Sequence, residues 1–192
     1  MIETYIQMKR DRMKDNDLVR ECLKGNVEFY RHLMDRYRDY VMAVALNVLM
    51  NYEDAQDVCQ EAFLKAYRNL DKFDLQKNFK NWFYSLLYNC CLDHLRQRKR
   101  FFNMLGKFRT ETRIDDVPES PNPAFSQWEE FKLLRHLSPR ERITIYLWSQ
   151  EGYTGPEIAS VLGCSHKTAH VYLYKAREKL KALLKEKKNG KL

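Results

Sequence analysis

Five side chains near the C-terminus have the types and spacing to grip a nucleic acid. In TGPEIASVLGCSHKTAHVYLYKAREKL, residues 154–180, the apolar set Ala169, Leu173, Ala176 and Leu180 recurs at three- and four-residue steps. That leaves His166, Lys167, His170, Lys175 and Arg177 outward-facing or flanking. Donors at the front of such a helix reach base edges in a major groove, and cations further along meet phosphates. The competing chemistry is zinc ligation by Cys164, His166 and His170. A fourth ligand at matching spacing is missing, so no metal is expected, and Cys164 reads as a small turn residue.

The elements that must hold these groups are legible nearby. Thr154 followed three residues later by Glu157 has the form of a capping box, and Pro156 suits a first turn, so a helix of about two turns should begin near Gly155. Ile158, Ala159 and Leu162 give it one apolar face, Gly163 ends it, and Ser165 caps the next helix. Helix, glycine turn and helix make a helix-turn-helix, although two amphipathic helices so joined also occur in ordinary bundles.

Upstream, three longer helical patterns appear. One spans about Val27 to Met50, with Phe29, Leu33, Tyr37, Val41, Val44, Ala45 and Val48 as its apolar set. The second, capped by Asn51, carries the stripe Ala55, Val58, Cys59, Ala62, Phe63, Ala66, Tyr67 and Leu70. Asp54, Gln56, Asp57, Gln60 and Glu61 stand outside that stripe. The third runs from about Asn78 to Arg98, with Phe79, Phe83, Leu86, Leu87, Cys90 and Leu95, and leads into the basic block RQRKRFFNMLGKFR. Such a block fits a phosphate-binding edge or a solvated basic tail.

Composition narrows the classes. The chain has 192 residues and a net charge of +8, which favours a polyanionic partner without specifying sequence readout. Five cysteines, scattered and without a repeated CxxC, read as free thiols of a reducing cytosol. No apolar run nears the roughly 20 residues of a membrane span, so no membrane insertion is expected. Between Thr110 and Gln127 three prolines and four acidic residues face a single arginine, which marks an acidic, extended linker between two basic parts. The resulting expectation is an all-α chain: a helical domain over 1–109, a linker over 110–127, and a helix-turn-helix domain over 128–192 whose Lys-rich end frays. Gly-rich phosphate loops, HExxH and GxSxG are absent from the sequence, so neither an enzyme nor a cofactor is expected.

Three stretches in order carry a resemblance: EDAQDVCQEAFLKAYRNLDKFD, FKNWFYSLLYNCCLDHLRQRKR, and LSPRERITIYLWSQEGYTGPEIASVLGCSHKTAHVYLYKAREKL. Together they resemble bacterial RNA polymerase sigma factors of the extracytoplasmic function (ECF) type, in the sigma-70 family, from about Asp17 onward. The resemblance implies a transcription initiation factor with core RNA polymerase and promoter DNA as partners, acting in the cytoplasm and commonly restrained by an anti-sigma factor. Carried over residue by residue, Asp54, Gln56, Asp57, Gln60 and Glu61 would dock on the polymerase clamp helices. The minus-ten element would be opened and held by Lys80, Asn81, Trp82 and Tyr84, with Asn89, Asp93, His94, Arg96, Arg98 and Lys99 along the same helix. Of Trp82 and Phe83, one is expected in the core. The minus-thirty-five element would meet Ser165, His166, Lys167, Thr168, His170 and Val171, with Lys175 and Arg177 on phosphates. Two departures stand out: Ala169-His170-Val171-Tyr172 replaces the family's more usual Val-Lys-Ser-Arg type of run, and Gly155-Pro156 opens the first helix. The competing class is a free-standing helix-turn-helix regulator, for which no dimerisation helix is evident.

Overall fold

In the computed structural model, which describes residues 13–104 and 129–188, all regular structure is helical. Helix α1 (Asp15–Leu23) is short and lies against α2 (Glu28–Leu49), where Asp15 binds Arg36 and the Tyr37 hydroxyl. The expected apolar set of α2 is largely buried, and Met50, left-handed at φ 57°, closes the helix. Asn51 then caps α3 (Tyr52–Arg68) by accepting from the Asp54 N–H at 2.9 Å. A 3-10 turn at Leu70–Lys72 and a loop lead to α4 (Phe79–Met104). Asn16 of α1 ties that loop down by donating to the Leu75 carbonyl at 2.8 Å.

Helix α4 is longer than its sequence pattern predicts. The basic residues 96–100 lie on it rather than on a solvated tail, because Arg98 is anchored to Asp54 of α3 at 2.6 Å and packs 5.8 Å from the Phe102 ring. Residues 105–109 of that block, like the acidic linker, fall outside the described residues.

The second set comprises α5 (Glu129–Leu134), α6 (Pro139–Ser149), α7 (Gly155–Leu162) and α8 (His166–Lys188). Ser138 and Glu141 form a reciprocal capping box at the start of α6. At α7 the Glu157 carboxylate accepts from both the N–H and the hydroxyl of Thr154, at 2.8 and 2.7 Å. Gly163, at φ 61°, makes the turn into α8, where Ser165 caps by accepting from the Thr168 N–H at 3.1 Å. The Lys-rich end, expected to fray, stays helical as far as Lys188, and residues 189–192 lie outside the described residues.

The two helical sets do not stand apart. Helix α6 lies on α2 and α7 lies on α4, and one apolar cluster runs from Val44, Leu87 and Tyr88 into Ile143, Leu147, Tyr153 and Ile158. A smaller cluster of Leu137, Ile145 and Ala176 joins α6 to α8. Across the seam the buried Arg142 donates to the Val48 carbonyl at 2.8 Å, meeting one of the four carbonyls that a helix C-terminus leaves unpaired.

Candidate nucleic-acid interface

The helix-turn-helix presents its polar face to solvent. Ser165, His166, Lys167, His170, Val171, Lys175 and Arg177 are exposed on α8, and Thr168 is half-buried. Arg177 lies 5.1 Å from the Trp148 ring, a stacking that steadies its guanidinium at the surface. Gly155 has a visible cause: a Cβ there would come within 2.4 Å of His166 Nε2, so the unusual helix opening makes room for this imidazole. His166 in turn meets His170 edge to face at 6.4 Å.

On α4 the ten candidate groups fall on separate faces. Asn89, Asp93 and Arg96 are exposed, the latter two paired at 2.8 Å. His94 and Arg98 face α3 and hold Asp54 at 3.1 and 2.6 Å. These partners, His94 first, bring the Asp54 carboxyl below its ordinary range despite partial burial. Lys99 and Asn81 are half-buried. Phe83 is the core member of its pair, at 1% exposure, whereas Trp82 is half-buried and tilted against Phe73 and Phe79 at 5.3 and 5.6 Å.

Lys80 and Tyr84 face the second helical set. Tyr84 is fully buried and stacks on Tyr153 at 6.2 Å. Burial first, then the neighbouring Glu151 carboxylate, pushes its hydroxyl well above the tyrosine range. Lys80 is ion-paired with Glu151, whose side chain is only 7% exposed, and the Tyr40, Tyr84 and Tyr153 rings lie 5.0, 5.5 and 6.0 Å from its ammonium. Glu151, Tyr40 and Tyr153 carry no sequence signal as members of this site, because what brings them here is a long-range pairing, not a motif.

On α3, Gln56, Asp57, Gln60 and Glu61 are exposed, while Asp54 turns toward α4. Gln56 and Gln60 border a groove of about 860 Å³ between α2 and α3, whose apolar lining includes Met34, Phe63, Leu64 and Tyr67. Tyr67, assigned to the buried stripe from its spacing, is 44% exposed at the rim of this groove. The α3 surface is therefore amphipathic, with acidic and amide groups beside an apolar trough, and suits a protein partner better than DNA.

Two sigma-70 family descriptions match the chain: region 2 over residues 33–101 and region 4 over residues 131–180. The chain belongs to the sigma-70 family. It is an ECF-type sigma factor, a transcription initiation factor that binds RNA polymerase. The ECF RNA polymerase sigma factor SigW of Bacillus subtilis is 32% identical over 81 residues, a match covering 42% of this chain and 43% of that protein. The RNA polymerase sigma-H factor of Pseudomonas aeruginosa is 27% identical over 86% of this chain and 91% of its own. Among solved structures, CnrH bound to the cytosolic domain of CnrY superposes with a TM-score of 0.65, 26% identity, and coverage of 89% of this sigma factor and 97% of CnrH. The sigma factor RpoE of Bartonella quintana, solved with the anti-sigma factor NepR, shares the fold at a TM-score of 0.67 and 23% identity, over 81% of this chain and 96% of its own. Region 2 thus spans α2 to α4, and region 4 spans α5 to α8. No helix of the described residues is long and apolar enough to cross a membrane.

Proposed function

We propose that this sigma factor divides promoter recognition between its two helical sets. The α7–α8 helix-turn-helix reads the minus-thirty-five element with Ser165, His166, Lys167, Thr168, His170 and Val171, and Lys175 and Arg177 bind phosphates. The loop before α4 and the start of that helix receive the opened minus-ten strand. The exposed face of α3, with the groove beside it, docks on core polymerase, and Asp54 at its edge is held in place by His94 and Arg98. The observation that carries the division is that region 4 leaves its cationic helix face in solvent while region 2 exposes a separate amide and carboxylate face. Domains over 1–109 and 128–192, joined by 110–127, and action in the cytoplasm where polymerase works, belong to the same proposal. So does an anti-sigma partner: CnrH, which shares the fold at 26% identity, is solved in complex with the cytosolic domain of CnrY.

Trp82 tests the strand-holding half of this proposal. Its replacement by alanine removes a stacking surface worth roughly 1–3 kcal/mol to an unstacked base. With core polymerase, Trp82→Ala should form closed complexes yet open duplex promoters slowly, as followed by permanganate reactivity of thymines. A premelted bubble should rescue it. A folded variant that opens duplex promoters at the wild-type rate removes Trp82 from the strand site.

A further inference from the structure

We propose that Asn16, in the first turn of α1, is a positioning residue for minus-ten readout: its side-chain amide holds the loop before α4 in the shape that selects the unstacked base. This inference rests on the assignment of that loop to the opened minus-ten strand. Asn16 lies upstream of the residues that the region 2 description matches, 33–101.

The loop needs support from outside itself. Between the buried rings of Phe73 and Phe79, the residues Asp74, Gln76, Lys77 and Asn78 are exposed and Leu75 is half-buried. The loop's own hydrogen bonds are local. The Gln76 N–H donates to the Asp74 carboxylate at 3.0 Å, the Lys77 N–H to the Asp74 carbonyl at 2.9 Å, and Asn78 accepts from the Asn81 N–H at 3.1 Å. Such bonds shape a turn without fixing where it sits. Asn16 supplies the long-range tie, donating to the Leu75 carbonyl at 2.8 Å and to the Lys77 carbonyl at 3.1 Å, one on each side of Gln76. Both partners only accept, so the amide N–H groups must face them.

The support is itself held. Leu18 and Val19 bury α1 against the core, Asp15 binds Arg36 and the Tyr37 hydroxyl, and the Tyr37 ring lies 5.7 Å from that of Phe79, where the loop ends. Two neighbouring residues of one helix thus steady the loop at its apex and at its exit. Between α1 and the loop lies an open polar cleft of about 460 Å³, which Asn16 lines together with the exposed Lys14 and Lys77. Those cations suit the phosphates of an entering strand. A base taken out of the stack is read through hydrogen bonds to its edge, which discriminate only if the reading groups stay within about 0.5 Å of the productive geometry. Holding the loop to that tolerance is the role of the Asn16 amide.

The test uses the full chain with core polymerase and a promoter library randomised through the minus-ten element, read by sequencing the transcripts. Asn16→Asp sets acceptors against two carbonyls, yet a carboxylate in the first turn of α1 favours the helix itself. It should bind core polymerase and minus-thirty-five duplex as wild type does. The preference between the best and worst base at the unstacked position should flatten by about fivefold or more, the discrimination that one well-placed base contact supplies. Asn16→Ala, which removes both donors without adding charge, should flatten it in the same direction. On a premelted bubble the flattening should persist, because it concerns which base is held and not the melting. A flattening confined to duplex promoters overturns the proposal, as does unchanged preference in a folded variant. An equal loss at all four bases with a lowered Tm makes Asn16 structural only and also overturns it. The loop assignment is judged separately, by Gln76→Ala with Lys77→Ala at the apex. If that variant flattens the preference and neither Asn16 variant does, only the positioning role fails; if none of them changes preference or opening, the assignment of the loop fails as well.

Discussion

Arg142→Ala should loosen region 4 from region 2 without unfolding either. The side chain is 5% exposed, and its guanidinium donates to the Val48 carbonyl at 2.8 Å. That carbonyl lies in the last turn of α2, where the helix dipole adds partial negative charge. A hydrogen bond involving a charged group contributes about 1.5–3 kcal/mol, and a cation at a helix C-terminus about 0.3–1 kcal/mol more. Truncation should therefore cost about 2–4 kcal/mol of closure, a shift of about thirtyfold to nearly a thousandfold in the closed-to-open ratio. Hydrogen exchange is the suitable assay, since it reads the free energy of local opening residue by residue. Amides of α6 and α7 should lose protection by that amount, while the interior of α2 to α4 around Val44 and Leu87 keeps most of its own. A loss below about 0.5 kcal/mol at α6, or an equal loss throughout the chain, refutes the idea that this contact holds a separable seam.

Asp57→Arg combined with Gln60→Ala should weaken binding to core polymerase by about tenfold or more, as expected for central interface groups, with unchanged helical content by circular dichroism; retained affinity would move the docking face elsewhere. Gly155→Ala should drive the His166 ring aside, because the new Cβ would sit 2.4 Å from Nε2. As that ring is exposed, stability should change by less than about 1 kcal/mol while affinity for minus-thirty-five duplex shifts, and a large drop in Tm would show that the imidazole is structural. The Asp54 carboxyl, lowered chiefly by His94 and then by Arg98, contributes stability above its unfolded pKa of about 3.9, and this is lost as pH falls through the lower folded value. The stability difference between wild type and Asp54→Asn, about 1 kcal/mol at most after solvent screening, should thus persist at neutral pH, begin to shrink near about pH 4 and vanish only below the lower folded value. A difference that survives in acid would point to packing instead.

Local signals carried far in the sequence. Asn51, Thr154, Gly163 and Ser165 mark helix ends through short-range hydrogen bonds and backbone conformation, and all four sit where their chemistry placed them. Periodicity likewise identified the buried stripe of α3, apart from Tyr67, which lies at an edge where one face grades into the next. What stayed hidden was the partner of each face of α4. Lys80, Tyr84, Asn89, Arg96 and Arg98 share one helix, and only the tertiary packing shows that the first two meet Glu151, the middle two meet solvent and the last meets Asp54. Glu151 itself resembles any loop carboxylate in sequence; its near-complete burial comes from the docking of α6 on α2 and α7 on α4.

The most direct test of a sigma factor that divides its promoter between two separable halves is a hydroxyl-radical footprint of the reconstituted holoenzyme on a promoter selected by in vitro transcription. Two protected segments about 25 base pairs apart are expected, with permanganate-reactive thymines confined to the downstream one and neither signal from the chain without core polymerase. Tight protection of duplex DNA by the chain alone, with no opening when polymerase is added, would contradict it.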